Sequence, residues 1–185
     1  MKYVAVVQIE FKSSWTRISY LEETASLLPM FPVLECIMLS TKKVGFSWQE
    51  SLPQSLRLAV KNCLHLPTLQ KVHIGDMSFP LSILDNHANI EYLSLTGPPE
   101  VEPEYQQLTY PQIKSLTLER FGHNNGMLFC TWAKHHIARL QSLKYDLSCH
   151  ERILKILEFC SDTLENLYLY LHRRGIPRQL SFRLT

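Results

Sequence analysis

An apolar triplet spaced i, i+3, i+5 recurs seven times along the chain. Its copies are Val4-Val7-Ile9, Leu34-Ile37-Leu39, Leu69-Val72-Ile74, Ile90-Leu93-Leu95, Ile113-Leu116-Leu118, Leu140-Leu143-Tyr145 and Leu164-Leu167-Leu169. The second and third members are two residues apart, so they point to one face of a short extended strand. The first member packs the turn that enters it. The triplets begin at positions 4, 34, 69, 90, 113, 140 and 164. The last four intervals fall within the leucine-rich-repeat period of roughly 20–29 residues, and the first two are longer. Pro32, Pro67 and Pro111 stand just ahead of three of the triplets.

Between the triplets the apolar period lengthens to that of a helix. Leu52, Leu56, Ala59, Val60, Cys63 and Leu64 form one stripe; Ile153, Ile156, Leu157 and Cys160 form another. Ser148-Cys149-His150-Glu151 has the S-x-x-E spacing of a capping box ahead of that second helix. Ile18, Leu21, Ala25 and Leu28 predict a third helix. Leu128, Trp132 and His135 predict a fourth, entered through Asn124-Asn125-Gly126, with His135 read as a core or groove histidine. Segments 81–88 and 104–110 are too short for full helices, and Pro98, Pro99 and Pro103 predict a loop. Strands alternating with helices over short links predict an α/β chain. The expected architecture is a leucine-rich-repeat-like right-handed solenoid. Its parallel sheet lies on the concave face and its helices on the convex face, in one domain over 1–185 with about seven irregular repeats.

If the strands stack in register, repeat positions 3 and 5 form two columns on the open face of the sheet. Position 3 reads Val6, Cys36, Lys71, Tyr92, Ser115, Ser142, Asn166, and position 5 reads Gln8, Met38, His73, Ser94, Thr117, Lys144, Tyr168. Neither column holds an acid; position 7 beside them holds Glu10, Glu119, Asp146 and Tyr170. Extended faces of this kind take protein ligands, and tyrosines anchor such contacts well. The candidate binding residues are therefore Lys71, His73, Tyr92, Ser94, Thr117, Lys144, Tyr168 and Tyr170; the competing reading is that they are ordinary solvated strand residues.

Two stretches carry a family resemblance. Ser51-Leu52-Pro53-Gln54-Ser55-Leu56 leads into Leu66-Pro67-Thr68-Leu69-Gln70-Lys71-Val72-His73-Ile74, and Phe79-Pro80-Leu81-Ser82-Ile83-Leu84 leads into Asn89-Ile90-Glu91-Tyr92-Leu93-Ser94-Leu95. This resembles the leucine-rich region of F-box-like proteins of mushroom-forming fungi. The resemblance implies a protein-recognition scaffold, the substrate-binding part of a ubiquitin-ligase adaptor. The chain departs from that pattern in two respects. No F-box stands ahead of Val4, and the ninth repeat positions (Lys12, Lys42, Met77, Pro98, Phe121, Ser148, His172) do not form an asparagine ladder.

Composition narrows the alternatives. Nineteen Lys and Arg against seventeen Asp and Glu leave a net charge of +2, which argues against a nucleic-acid or membrane-surface partner. No apolar run reaches membrane-spanning length. The five cysteines are unevenly spaced without C-x-x-C, and no N-x-S/T sequon occurs, so a cytoplasmic or nuclear protein with reduced thiols is expected. Catalytic motifs are missing: Cys149-His150 and His135-His136 are neighbours that diverge on a helix, and no metal-protease, nucleophile-elbow or phosphate-loop pattern is present. The expectation is a non-enzyme without cofactor. A truncated fragment, or a small hydrolase or metal-dependent enzyme, is the alternative. The loose basic group Arg173, Arg174, Arg178 and Arg183 reads as a solvated end. Tyr3, Val4, Val6 and Phe11 are expected to crowd an uncapped first strand, inviting self-association through that edge.

Overall fold

The computed structural model describes residues 6–11, 18–43, 45–85, 87–97, 99–100, 111–120, 126–147, 153–173 and 176–184. In chain order the elements are β1 (Val6–Phe11), α1 (Ile18–Leu27), β2 (Cys36–Thr41), α2 (Trp48–Ser51), α3 (Gln54–Leu64), β3 (Lys71–Gly75), β4 (Phe79–Pro80), β5 (Tyr92–Thr96), β6 (Pro99–Glu100), β7 (Ser115–Glu119), α4 (Gly126–His136), β8 (Ser142–Asp146), α5 (Ile153–Cys160), β9 (Asn166–Arg173) and β10 (Ile176–Arg183). Eight strands make one sheet in the order β1-β2-β3-β5-β7-β8-β9-β10, and β4 pairs with β6 apart from it. The architecture is α/β with a mostly parallel sheet.

The seven strands that carry the triplets are parallel throughout, and each repeat position lies beside the same position of the next repeat. Apolar side chains from successive triplets therefore stack like on like. Of the triplet members within the described residues, all are buried except Val7 and Leu169, which are half-buried. The buried faces of α1, α3, α4 and α5 join the same core. The alternate strand residues at repeat positions 3 and 5 point the other way and stay partly open to solvent.

A backbone ladder ties the strand entrances together where the asparagine ladder is missing. The carbonyl of Glu35 accepts from both Gln70 N–H and Lys71 N–H, each at 3.0 Å. Gln70 does the same for Glu91 and Tyr92, Glu91 for Lys114 and Ser115, Lys114 for Gln141 and Ser142, and Gln141 for Glu165 and Asn166. The second residue of these five repeats thus uses its carbonyl twice, which leaves its side chain free to be any polar group. At the opposite end of the strands, repeat position 8 is left-handed in three successive repeats: Asp76 (φ 54), Gly97 (φ 106) and Arg120 (φ 52). The amides of Asp76 and Gly97 donate to Thr96 and Glu119 of the following repeat. A side chain at Gly97 would have to bear that φ and meet the Asp76 backbone at 3.4 Å.

Several expectations need correction. β10 is an eighth strand, and it runs antiparallel to β9; two intervening residues are too few for a parallel crossover. The helix expected from Leu52 is broken there. Ser47 caps α2 by accepting from the amides of Gln49 and Glu50, and Pro53 starts α3. In α4 the buried histidine is His136, whereas His135 is exposed, because the buried stripe runs Phe129, Trp132, Ala133, His136, Ile137. Phe11 is buried, stacked on Phe46 with ring centroids 5.2 Å apart, and does not crowd the flank of β1. Asp146, at position 7 beside Tyr170, is buried rather than open to solvent. Apart from these expectations, the apolar layer thins toward the last strands: Leu167 is 9% exposed against 0% for Leu116. Tyr3, Val4, the capping box at 148–151, segment 104–110 and Arg174 lie outside the described residues.

Candidate functional site

The open face of the sheet is built by the register. Cys36, Lys71, Tyr92, Ser115, Ser142 and Asn166 line up across β2 to β9 as one column. Met38, His73, Ser94, Thr117, Lys144 and Tyr168 form the second. All eight candidate binding residues fall on this face: seven lie in the two columns, and Tyr170 lies beside Asp146 at position 7. Most are half-exposed, and Tyr92 is 43% exposed.

Two cations on this face are held against aromatic rings. The Lys71 ammonium lies 5.3 Å from the Tyr92 ring centre, and that of Lys144 lies 5.6 Å from the Tyr168 ring centre. Such contacts are worth roughly 0.5–1 kcal/mol at exposed sites and orient both partners. Burial holds His73 below the ordinary imidazole value, partly offset by the charges of Glu119 and Asp76. The His73 ring is thus neutral near pH 7 and can donate or accept a hydrogen bond. Burial raises the Cys36 thiol, against the pull of Lys71. The face offers hydroxyls, two aromatic anchors and two ammonium groups, with Glu119 and Glu10 at its margin.

Clefts at the strand ends are lined by charges that are largely paired, the first with a cationic excess. One of about 620 Å³ is lined by Lys42, Lys43, Asp76 and Arg120, where Arg120 pairs with Asp76 at 3.1 Å and Lys42 with Glu10 at 3.3 Å. Another of about 560 Å³ is lined by Lys114, Arg139, Asp162 and Glu165, where Lys114 pairs with Glu91 at 2.6 Å. Burial pushes the Cys63 thiol up and that of Cys160 up to about 11, so neither presents a thiolate near neutral pH. Among the described residues no group of three or more His, Cys, Asp or Glu could hold a metal ion.

Sequence reasoning missed a polar cluster inside the core. Asp85 Oδ1 accepts from Trp132 Nε1 at 3.3 Å and lies 3.2 Å from His136 Nε2. His136 Nδ1 lies 2.6 Å from the Trp132 carbonyl, which can only accept, so Nδ1 carries the hydrogen. The Trp132 and His136 rings stack 4.0 Å apart. The arrangement has the parts of a catalytic dyad, but His136 is 0% exposed; it ties the turn at Asp85 to α4.

His87 makes the core sensitive to acid. It is buried, its ring centroid lies 4.2 Å from that of His65, and burial lowers it to about 4, helped by the charges of His65 and Lys61 and opposed by the Ile83 backbone and Asp85. The unfolded chain, at the ordinary value of 6.5, binds the proton more readily between pH 6.5 and 4. Stability is therefore fully present above pH 6.5 and falls as pH drops through that window. At roughly 1.4 kcal/mol per pH unit, the expected loss by pH 5 is on the order of 2 kcal/mol. Urea melts at pH 7.5 and 5 should show this loss in the natural chain and a smaller one in His87→Gln. Equal losses would assign the effect to other groups.

No protein-family model, no curated protein and no solved structure matches the chain.

Proposed function

We propose that the chain is a leucine-rich-repeat-like right-handed solenoid, concave along its open sheet face, and that this face is a non-catalytic protein-recognition surface. The observation that carries the reading is the position-for-position register of seven parallel strands, which turns scattered residues into two continuous columns. Crossovers between parallel strands are right-handed almost without exception, which supports the handedness. The columns combine aromatic anchors pinned by lysines with hydroxyls and a neutral histidine. Such a face suits a protein segment that brings carboxylates for Lys71 and Lys144 and apolar groups for the Tyr92 and Tyr168 rings. The resemblance to fungal F-box-like proteins extends the proposal: the bound segment would be the substrate of a ubiquitin-ligase adaptor.

The test is selection of peptide binders against the immobilised chain, followed by titration against Tyr92→Ala combined with Tyr168→Ala. Truncating a binding anchor costs about 2 kcal/mol, so selected binders should weaken roughly 30-fold or more. Both positions are on the open face, so the double variant should melt like the natural chain. Binders that ignore it would place recognition elsewhere.

A further inference from the structure

We infer that a second copy of this chain docks on the outer edge of β10, around a two-fold axis at Ser181, so that the sheet continues from one copy into the other. The first observation is an uncovered end of the core. Leu180 and Phe182 lie opposite Leu169 and Leu167 in the β9–β10 ladder. Directly opposed residues of an antiparallel pair share a face, so both continue the apolar layer on the helix side of the sheet. They are nevertheless 44% and 46% exposed, and Leu184 is 43% exposed. At the other flank the same layer is better covered, with Val7 half-buried, Ile9 at 5% and Phe11 at 1%.

The second observation is the strand edge itself. Among the described residues, β10 is the last strand of the sheet and pairs only with β9. The Leu184 amide turns inward to the Glu165 carbonyl at 2.8 Å, so strand alternation turns the backbone groups of Gln179, Ser181 and Arg183 outward. Pro177, which has no N–H, falls on the same outward phase. Edges are commonly blocked by charges that point into the apolar face; the stretch Leu180, Phe182 and Leu184 supplies none, and the one charged residue of that phase, Arg178, stands near the start of the strand, away from Ser181.

The strand's own sequence selects the occupant. A two-fold axis normal to the sheet keeps each residue on its own face, so the axis must pass through a residue. At Gln179 it would set Ser181 against Pro177, and at Leu180 it would set Arg183 against Pro177, each forfeiting a ladder bond. At Phe182 or Arg183 it would bring the two Arg183 side chains into diagonal or direct contact, which is repulsive. At Ser181 it sets Gln179 against Arg183 of the other copy on both sides, keeps the arginines apart and places Leu180 against Phe182. A closed, isologous pair of this kind is the commonest form of oligomer.

Sedimentation equilibrium of the 185-residue chain tests the inference. A reversible dimer should be populated at tens of micromolar, the order at which exposed strand edges associate. Ser181→Pro removes an outward N–H while leaving the bonds to β9, and should yield a monomer with an unchanged circular dichroism spectrum. Gln179→Glu places a carboxylate opposite Arg183 of the other copy and should tighten the dimer about three- to tenfold, a gain that loss of folding could not imitate. A monomer at these concentrations would overturn the inference. So would a dimer that survives Ser181→Pro, or one that Val6→Lys on β1 dissociates instead.

Discussion

Leu116→Ala is expected to destabilise the chain by about 2–5 kcal/mol in a urea melt, the range for emptying a filled core site. Leu116 sits on the central strand β7, 0% exposed, with Leu93 and Leu143 in register on either side. Both neighbours are fixed by their own strands and by the carbonyl ladder at the second repeat position. They cannot slide into the space, so most of the cavity should persist. Leu167→Ala removes the same atoms at the thin end of the layer, where the side chain is 9% exposed and the next strand is the edge strand β10. Solvent and the exposed Phe182 can fill that space, and the expected cost is smaller, roughly 1–2 kcal/mol. The comparison matters more than either value. Equal losses would mean that the apolar layer is uniform along the stack, and a loss below about 1 kcal/mol at Leu116 would sink the stacked-layer account of the fold.

That layer was legible in the sequence because its rule is local and repeated. A triplet fixes which strand residues face inward, and stacking like on like then fixes the register, so the two open columns could be written down from residue spacing alone. Features that bind distant residues without a repeated pattern left no such trace. Asp85 and His136 are 51 positions apart, and Arg120 and Asp76 are 44 apart; nothing near either member announces its partner. The carbonyl ladder was silent for another reason, since it is made of backbone and any polar residue serves at those positions. His135 and His136 straddle the edge of the α4 stripe, where a one-residue shift in phase exchanges buried for exposed. β10 escaped because Leu180-Ser181-Phe182-Arg183 alternates without the entering turn residue of the triplet. Its pairing is set by the shortness of its link to β9 rather than by a repeat. The columns of the candidate site followed from the register, but the lysine–tyrosine contacts within them depend on side-chain direction, which spacing does not encode.

Asp85→Ala is expected to cost about 2–4 kcal/mol, because two buried groups lose one shared partner at roughly 1–3 kcal/mol each. The carboxylate is the acceptor that Trp132 Nε1 and His136 Nε2 share. Alanine would leave the indole hydrogen without that acceptor, and the imidazole Nε2 would lose its carboxylate partner. Both rings are within 1% of full burial, so water could not take the place of the lost oxygen without opening the packing around α4. Asp85→Asn separates the two contributions. Its amide oxygen can still accept from the indole, but it is a weaker acceptor than the carboxylate oxygen that the two rings share. The expected cost is therefore intermediate, about 1–3 kcal/mol. Equilibrium urea melts of the three proteins at pH 7.5 should give the order natural chain, Asp85→Asn, Asp85→Ala. Indole fluorescence offers a second readout, because the Trp132 ring stacks on His136 and should shift toward the solvent-exposed emission in the alanine variant before global unfolding. If the alanine variant instead matches the natural chain in both readouts, the cluster does not hold α4 to the turn at Asp85. The stability of that region would then rest on apolar packing alone.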